Sequence, residues 1–115
     1  MTQPKLPLEI DVLSVKHLLD SGEPLLLLLD VREPHEHAAA KIDAATLIPM
    51  GQIPSRLPEI EAYKSGRVVV HCHHGGRSQR VMNYLRQQGF KSVQNMIGGI
   101  DEWSLQVDPS VPRYE

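Results

Sequence analysis

The sequence predicts an α/β domain, with a mainly parallel central sheet of about five strands flanked by helices on both faces. Three observations carry this reading. Two apolar runs of strand length, Leu25 to Val31 (broken only by Asp30) and Val68 to Val70, have the pattern of strands covered on both sides. Stretches with helical spacing of apolar residues lie between the candidate strands. Turn residues such as Ser21-Gly22, Ser65-Gly66 and Gly98-Gly99 punctuate the alternation.

Taken in order, residues 1–7 carry Pro4 and Pro7 and read as an N-terminal arm. Asp11 caps a helix whose positions Val12, Val15, Leu18 and Leu19 share one face, and Ser21-Gly22 stops it. The Leu25–Val31 strand follows. Pro34 suits the first turn of a short helix through about Ala40, with Glu36 near its positive end. Ala45 to Ile48 fits a short strand closed by Pro49, and Pro54 to Tyr63 a further helix. The β-branched Val68–Val70 strand leads into a glycine-containing loop from Cys72 to Arg77. Ser78 to Gln88 fits a helix with Val81, Met82 and Leu85 inward, closed by Gly89. Lys91 to Met96 reads as the last strand, and Gly98-Gly99 leads into a short helix near Trp103. The domain is thus expected over residues 8–107, with 108–115 an extended surface tail.

Composition narrows the function classes. Twelve basic residues against fourteen acidic ones give no electrostatic footprint for nucleic acid or an anionic membrane. A single cysteine cannot form an internal disulfide. The longest apolar run is far too short to span a bilayer, and the opening MTQPKLPLEI has no continuous apolar stretch of a secretory leader. A cytoplasmic location follows by default.

Open α/β sheets bind ligands at the carboxyl ends of their strands. Two polar clusters fall there: Asp30-Val31-Arg32-Glu33, and Cys72-His73-His74-Gly75-Gly76-Arg77-Ser78. In the second, a buried strand ends in a cysteine, and a helix begins a few residues on. A loop of this kind can turn successive backbone N–H groups inward as an anion nest, to which the helix N-terminus adds its partial positive charge. Gly75 and Gly76 allow positive φ and close backbone approach. Cys72 sits at the edge of that nest, where a thiolate is favoured over a thiol. The plainer alternative is a small buried cysteine closing a strand; the adjoining glycines, arginine and helix start favour a nucleophile.

These residues resemble the rhodanese family of sulfurtransferases, and the resemblance covers nearly the whole chain. Asp30-Val31-Arg32-Glu33-Pro34-His35-Glu36 is similar to the family's first motif. Cys72 to Ser78 is similar to its active loop, C-x-x-G-x-R-S, and Gly98-Gly99-Ile100-Asp101-Glu102-Trp103 to its G-G-x-x-x-W. The tail from Val107 to Pro112 is similar to the ending of rhodanese domains fused to sulfur-carrier-activating enzymes. The resemblance implies a rhodanese-like fold, no cofactor, and a two-step reaction. Cys72 takes sulfane sulfur from thiosulfate or a persulfide donor, then passes it to cyanide, a thiol or a protein acceptor. The amides from His73 to Ser78 would bind substrate and stabilise the persulfide. Other classes are a sulfur-carrier or protein-binding module without turnover, and a phosphatase or arsenate reductase. Dual-specificity phosphatases place one residue more between cysteine and arginine than the four here, and no general acid is evident.

Where thiosulfate enzymes of the family carry basic residues after the cysteine, this chain has His73 and His74. Histidine is mostly neutral at pH 7, so a dianionic donor is attracted less, and its binding is expected to strengthen as pH falls. Arg77 either faces the substrate or pairs with a carboxylate outside the loop. The six histidines show no spacing of a structural metal site, and no metal is expected. Asp30, Arg32 and Glu36 are assigned to structural support: Asp30 holding a loop by hydrogen bonds, Arg32 and Glu36 forming an i,i+4 pair. Lys41, Asp43 and Ala44 depart from the histidine, proline and glycine common in the family at these positions.

Overall fold

The computed structural model describes residues 6–114. It has five strands, β1 (Glu9–Ile10), β2 (Leu26–Asp30), β3 (Thr46–Leu47), β4 (Arg67–His71) and β5 (Val93–Met96). The α-helices are α1 (Val12–Asp20), α2 (Pro34–Ala39), α3 (Ile53–Arg56), α4 (Gly76–Gln87) and α5 (Gly99–Gln106). All strand pairings are parallel, in the order β1-β5-β4-β2-β3. The expected fold class is the observed one.

The apolar runs are explained by their two-sided burial. In the register Leu28↔Val69 and Leu29↔Val70, successive residues of β2 and β4 alternate between the faces. Leu27, Leu29, Val68 and Val70 pack with Ile53, Met82 and Leu85 on one side. Leu28 and Val69 pack with Val12, Val15, Ile100 and Trp103 on the other. β4 lies at the centre of the sheet, so the segment after it is anchored on a strand paired on both sides, with β5 and β2. The polar segments Asp30–Arg32 and Cys72–Ser78 emerge from neighbouring strands at the same edge, because Asp30 and His71 are register partners.

Four local readings need correction. Two residues, Glu9 and Ile10, form a strand at the sheet edge, paired with Asn95 and Met96. A strand of that length has no periodicity to detect. Pro54 to Tyr63 is not one α-helix: α3 spans Ile53–Arg56, and Leu57–Tyr63 is 3-10. Pro58 explains this, since it has no N–H to donate and its ring crowds the carbonyl four residues back. α4 starts at Gly76 instead of Ser78, capped by Gly75. The tail turns near Asp108–Ser110 and buries Val111 in the core instead of lying extended on the surface.

Within the arm reading, residues 1–5 lie outside the described residues, whereas the Pro7 carbonyl accepts a hydrogen bond from the Gln94 side chain. Among the described residues no helix is long and apolar enough to cross a membrane.

Candidate active site

β4 delivers Cys72 to the carboxyl edge of the sheet, 2% exposed. The chain then curls back over the cysteine sulfur before α4 begins. Gly75 makes that curl possible at φ 130°, a conformation that costs side-chain-bearing residues heavily. The Gly75 N–H donates to Cys72 Sγ at 3.1 Å and the Ser78 N–H at 3.4 Å. Ser78 Oγ stands 3.3 Å from the same sulfur. The hydroxyl is itself placed by Asn95, whose Oδ1 accepts from it at 2.5 Å while Asn95 Nδ2 donates to the Gly75 carbonyl at 3.2 Å. Asn95 was not singled out by the sequence, although a buried polar side chain in the strand Val93–Met96 is the signal that marks it.

The opposite side of the loop is clamped by α5. The Ile100 N–H donates to the Cys72 carbonyl at 2.9 Å and the Asp101 N–H to the His73 carbonyl at 3.2 Å. A Cβ on Gly99 would stand 2.4 Å from both carbonyl oxygens, so only glycine permits this approach. That accounts physically for Gly99, the second glycine of the pair before Trp103.

Behind the loop, two ion pairs are joined by the tail. Arg77 engages Glu36 through both guanidinium ends, at 2.6 and 2.8 Å. Of its two possible orientations, the structure has Arg77 paired with a carboxylate outside the loop. Arg32 and Glu36 do not form the expected side-chain pair. Arg32, fully buried, binds Asp30 at 2.9 and 2.7 Å and reaches only the backbone carbonyl of Glu36. Asp30, two residues upstream, takes the Arg32 guanidinium in a bidentate pair, while the Glu36 carboxylate is engaged in the same way by Arg77. The Tyr114 hydroxyl connects the pairs, accepting from Arg32 at 2.9 Å and donating to Glu36 Oε2 at 2.8 Å. Arg77 above all holds the Glu36 carboxyl down, to about 2.

The two loop histidines differ. His74 is exposed, with Nε2 3.7 Å from Asp101 Oδ2. His73 is half-buried between two rings, its centroid 4.0 Å from that of His74 and 4.0 Å from that of Tyr114. Burial, then the neighbouring His74, push the His73 pKa down, so the pH response expected of this residue moves to more acidic conditions. His73, His74 and Asp101 also offer three possible metal-ligand atoms within 4.8 Å of one another. The imidazoles are stacked on each other, and Asp101 is already bound by Arg113 at 2.8 Å. A cation there would have to undo both arrangements.

His71, at the end of β4, is fully buried, and neither ring nitrogen has a hydrogen-bond partner among the described residues. Burial lowers its pKa from 6.5 to about 4. Between these values the unfolded chain binds the extra proton. Stability is therefore complete above about pH 6.5 and falls as pH drops toward 4, by roughly 1.4 kcal/mol per unit at most. Urea melts of wild type and His71→Leu at pH 7 and pH 5 check this. The variant is expected to lose part of the acid sensitivity, and equal acid losses in both would remove His71 as its source.

An α/β sheet whose central strand presents a buried cysteine to the amides opening the next helix defines a domain built around one cysteine loop. Residues 11–106 match the rhodanese-like domain family, and the chain belongs to that family. It is 42% identical over 96 residues to a sulfurtransferase of Allochromatium vinosum, covering 84% of this chain and 87% of that protein. It is 40% identical over 104 residues to the adenylyltransferase and sulfurtransferase MOCS3-1 of Zea mays, covering 86% of this chain. The chain spans only 22% of the maize protein's length. Among solved structures, the human single-domain sulfurtransferase TSTD1 superposes with a TM-score of 0.78 at 25% identity, over 88% of this chain and 98% of that one.

Proposed function

We propose that this domain is a sulfurtransferase working through a persulfide on Cys72. The observation that carries the reading is the convergence of the Gly75 and Ser78 N–H groups on one buried sulfur. The names of the Allochromatium and human relatives, both sulfurtransferases, support it.

In the first step the Cys72 thiolate attacks the outer sulfur of a sulfane donor such as thiosulfate. The Sγ–S bond forms, the donor's S–S bond breaks, and sulfite leaves with the electron pair. The added sulfur carries the negative charge, and fixed amides are suited to hold it as an oxyanion hole holds oxygen. In the second step cyanide, a thiol or a protein nucleophile takes the outer sulfur and returns the electron pair to Sγ. Arg77, Glu36 and Tyr114 keep the loop in place from behind, and Asp30 and Arg32 support them. Thiocyanate release from thiosulfate or a thiosulfonate plus cyanide tests the reading. Steady turnover is expected, whereas a single stoichiometric discharge would mark a carrier module.

A further inference from the structure

On the α4 side of the sheet a groove of about 140 Å³ runs between α3 and α4, lined by Met50, Ile53, Pro54, Arg80, Val81 and Tyr84. Its floor is apolar. Ile53 and Val81 are buried in the core cluster that also holds Cys72, and the half-buried Met50 and Tyr84 pack against it. One wall is fixed at the carboxyl edge of the sheet, where the Met50 N–H donates to the Val31 carbonyl at 3.0 Å. The other wall follows the active loop directly. Val81 comes one helical turn, ~5 Å of rise, after Ser78, whose N–H faces Cys72 Sγ. The charge on this side is of one sign. α4 carries Arg77, Arg80 and Arg86 and no acidic residue, although the chain as a whole has fourteen acidic residues and twelve basic ones. Arg77 is taken by Glu36. Among the described residues Arg80 is the one charged side chain lining the groove, exposed and with no ion-pair partner. An apolar hollow of one side chain's size beside an uncommitted guanidinium complements an apolar residue flanked by carboxylates.

We propose that this groove docks a protein sulfur acceptor, through an acidic segment that carries a leucine- or phenylalanine-sized side chain. The proposal rests on the reading of Cys72 as the persulfide carrier. The chain has no second cysteine, so the outer sulfur leaves by attack of an outside nucleophile. The acceptor's sulfur attacks it, a new S–S bond forms on the acceptor, and the bond to Sγ breaks. The electron pair returns to Sγ, and the acceptor's thiol proton ends on the transferred sulfur. A small thiol reaches the persulfide without any such hold. The groove therefore separates protein acceptors from small ones.

The experiment loads wild type and Arg80→Glu with sulfur from methanethiosulfonate, desalts them, and times loss of the adduct of about 32 Da by intact mass. The acceptors are 2-mercaptoethanol and three acetylated thiol peptides: ELEFSGSC, its lysine counterpart KLKFSGSC, and ESESSGSC without the apolar residues. At low ionic strength ELEFSGSC is expected to discharge wild type about tenfold faster than either other peptide, with the preference over lysine shrinking in high salt. Arg80→Glu is expected to lose about tenfold with ELEFSGSC and less than about twofold with 2-mercaptoethanol. Arg80 is exposed, so its replacement leaves the fold intact. Equal rates for the three peptides, or an equal loss of Arg80→Glu with peptide and 2-mercaptoethanol, overturn the docking surface and leave the persulfide reading standing. A wild-type dimer in sedimentation that Arg80→Glu dissolves places a second copy of this chain in the groove, and also overturns it. Wild-type protein that takes up no sulfur overturns both readings.

Discussion

Cys72→Ser is expected to lower sulfur transfer by at least about 10³-fold while the domain remains folded. A serine oxygen at this position is a weak nucleophile at neutral pH and cannot form the sulfur–sulfur bond on which the second step depends. The fold has little reason to suffer. The hydroxyl inherits the Gly75 and Ser78 N–H donors that now face Sγ, so it is not buried without partners. Stability is expected to change by no more than about 1 kcal/mol. Thiocyanate release and thermal melting on the same preparation check the two halves separately. Substantial turnover by folded Cys72→Ser would remove Cys72 from the chemistry, since the chain has no second cysteine.

The second large effect is expected at Gly75. Space is not what excludes a side chain there: a Cβ would meet only Asn95 Nδ2, at an ordinary 3.7 Å. The obstacle is φ 130°, which a β-branched residue resists at a cost of about 1–3 kcal/mol. Valine escapes that strain by rotating the backbone, and the rotation turns the 75 N–H away from Sγ. Gly75→Val is therefore expected to cost about 10²-fold or more in kcat, as loss of an oxyanion-hole donor does, for a stability loss of a few kcal/mol at most. Unfolding curves beside turnover numbers test this. Activity that falls only in proportion to the folded fraction would assign the glycine to folding alone.

Much of this was legible in the sequence because the decisive signals are local. Leu25–Val31 and Val68–Val70 read as strands buried on both faces, and the side chains of Leu26–Leu29 and Val68–Val70 alternate between the two core clusters, whereas Leu25 is exposed ahead of the strand at φ 52°. The cysteine, two glycines and helix start of the loop lie within seven residues of one another. What escaped is long-range or competitive. Tyr114 reaches Glu36 across 78 residues, and Asn95 reaches Ser78 across 17, with no spacing rule to connect them. The Arg32–Glu36 spacing suggested a helical pair, but Asp30 lies closer along the chain and takes the guanidinium first. Pro58 prevented the helical pattern of Pro54–Tyr63 from becoming one α-helix. The fate of Arg77 depended on which carboxylate the fold would bring to it, which a neighbouring strand decides.

The persulfide itself is the most direct object of measurement. Purified protein is treated with a sulfane donor, desalted, and its intact mass recorded before and after cyanide, with Cys72→Ser alongside. An added mass of about 32 Da, one sulfur atom, is expected on the wild type only, removed by cyanide with stoichiometric thiocyanate. A wild-type mass that never changes under donors that the protein turns over, or an equal adduct on Cys72→Ser, would contradict the Cys72 persulfide.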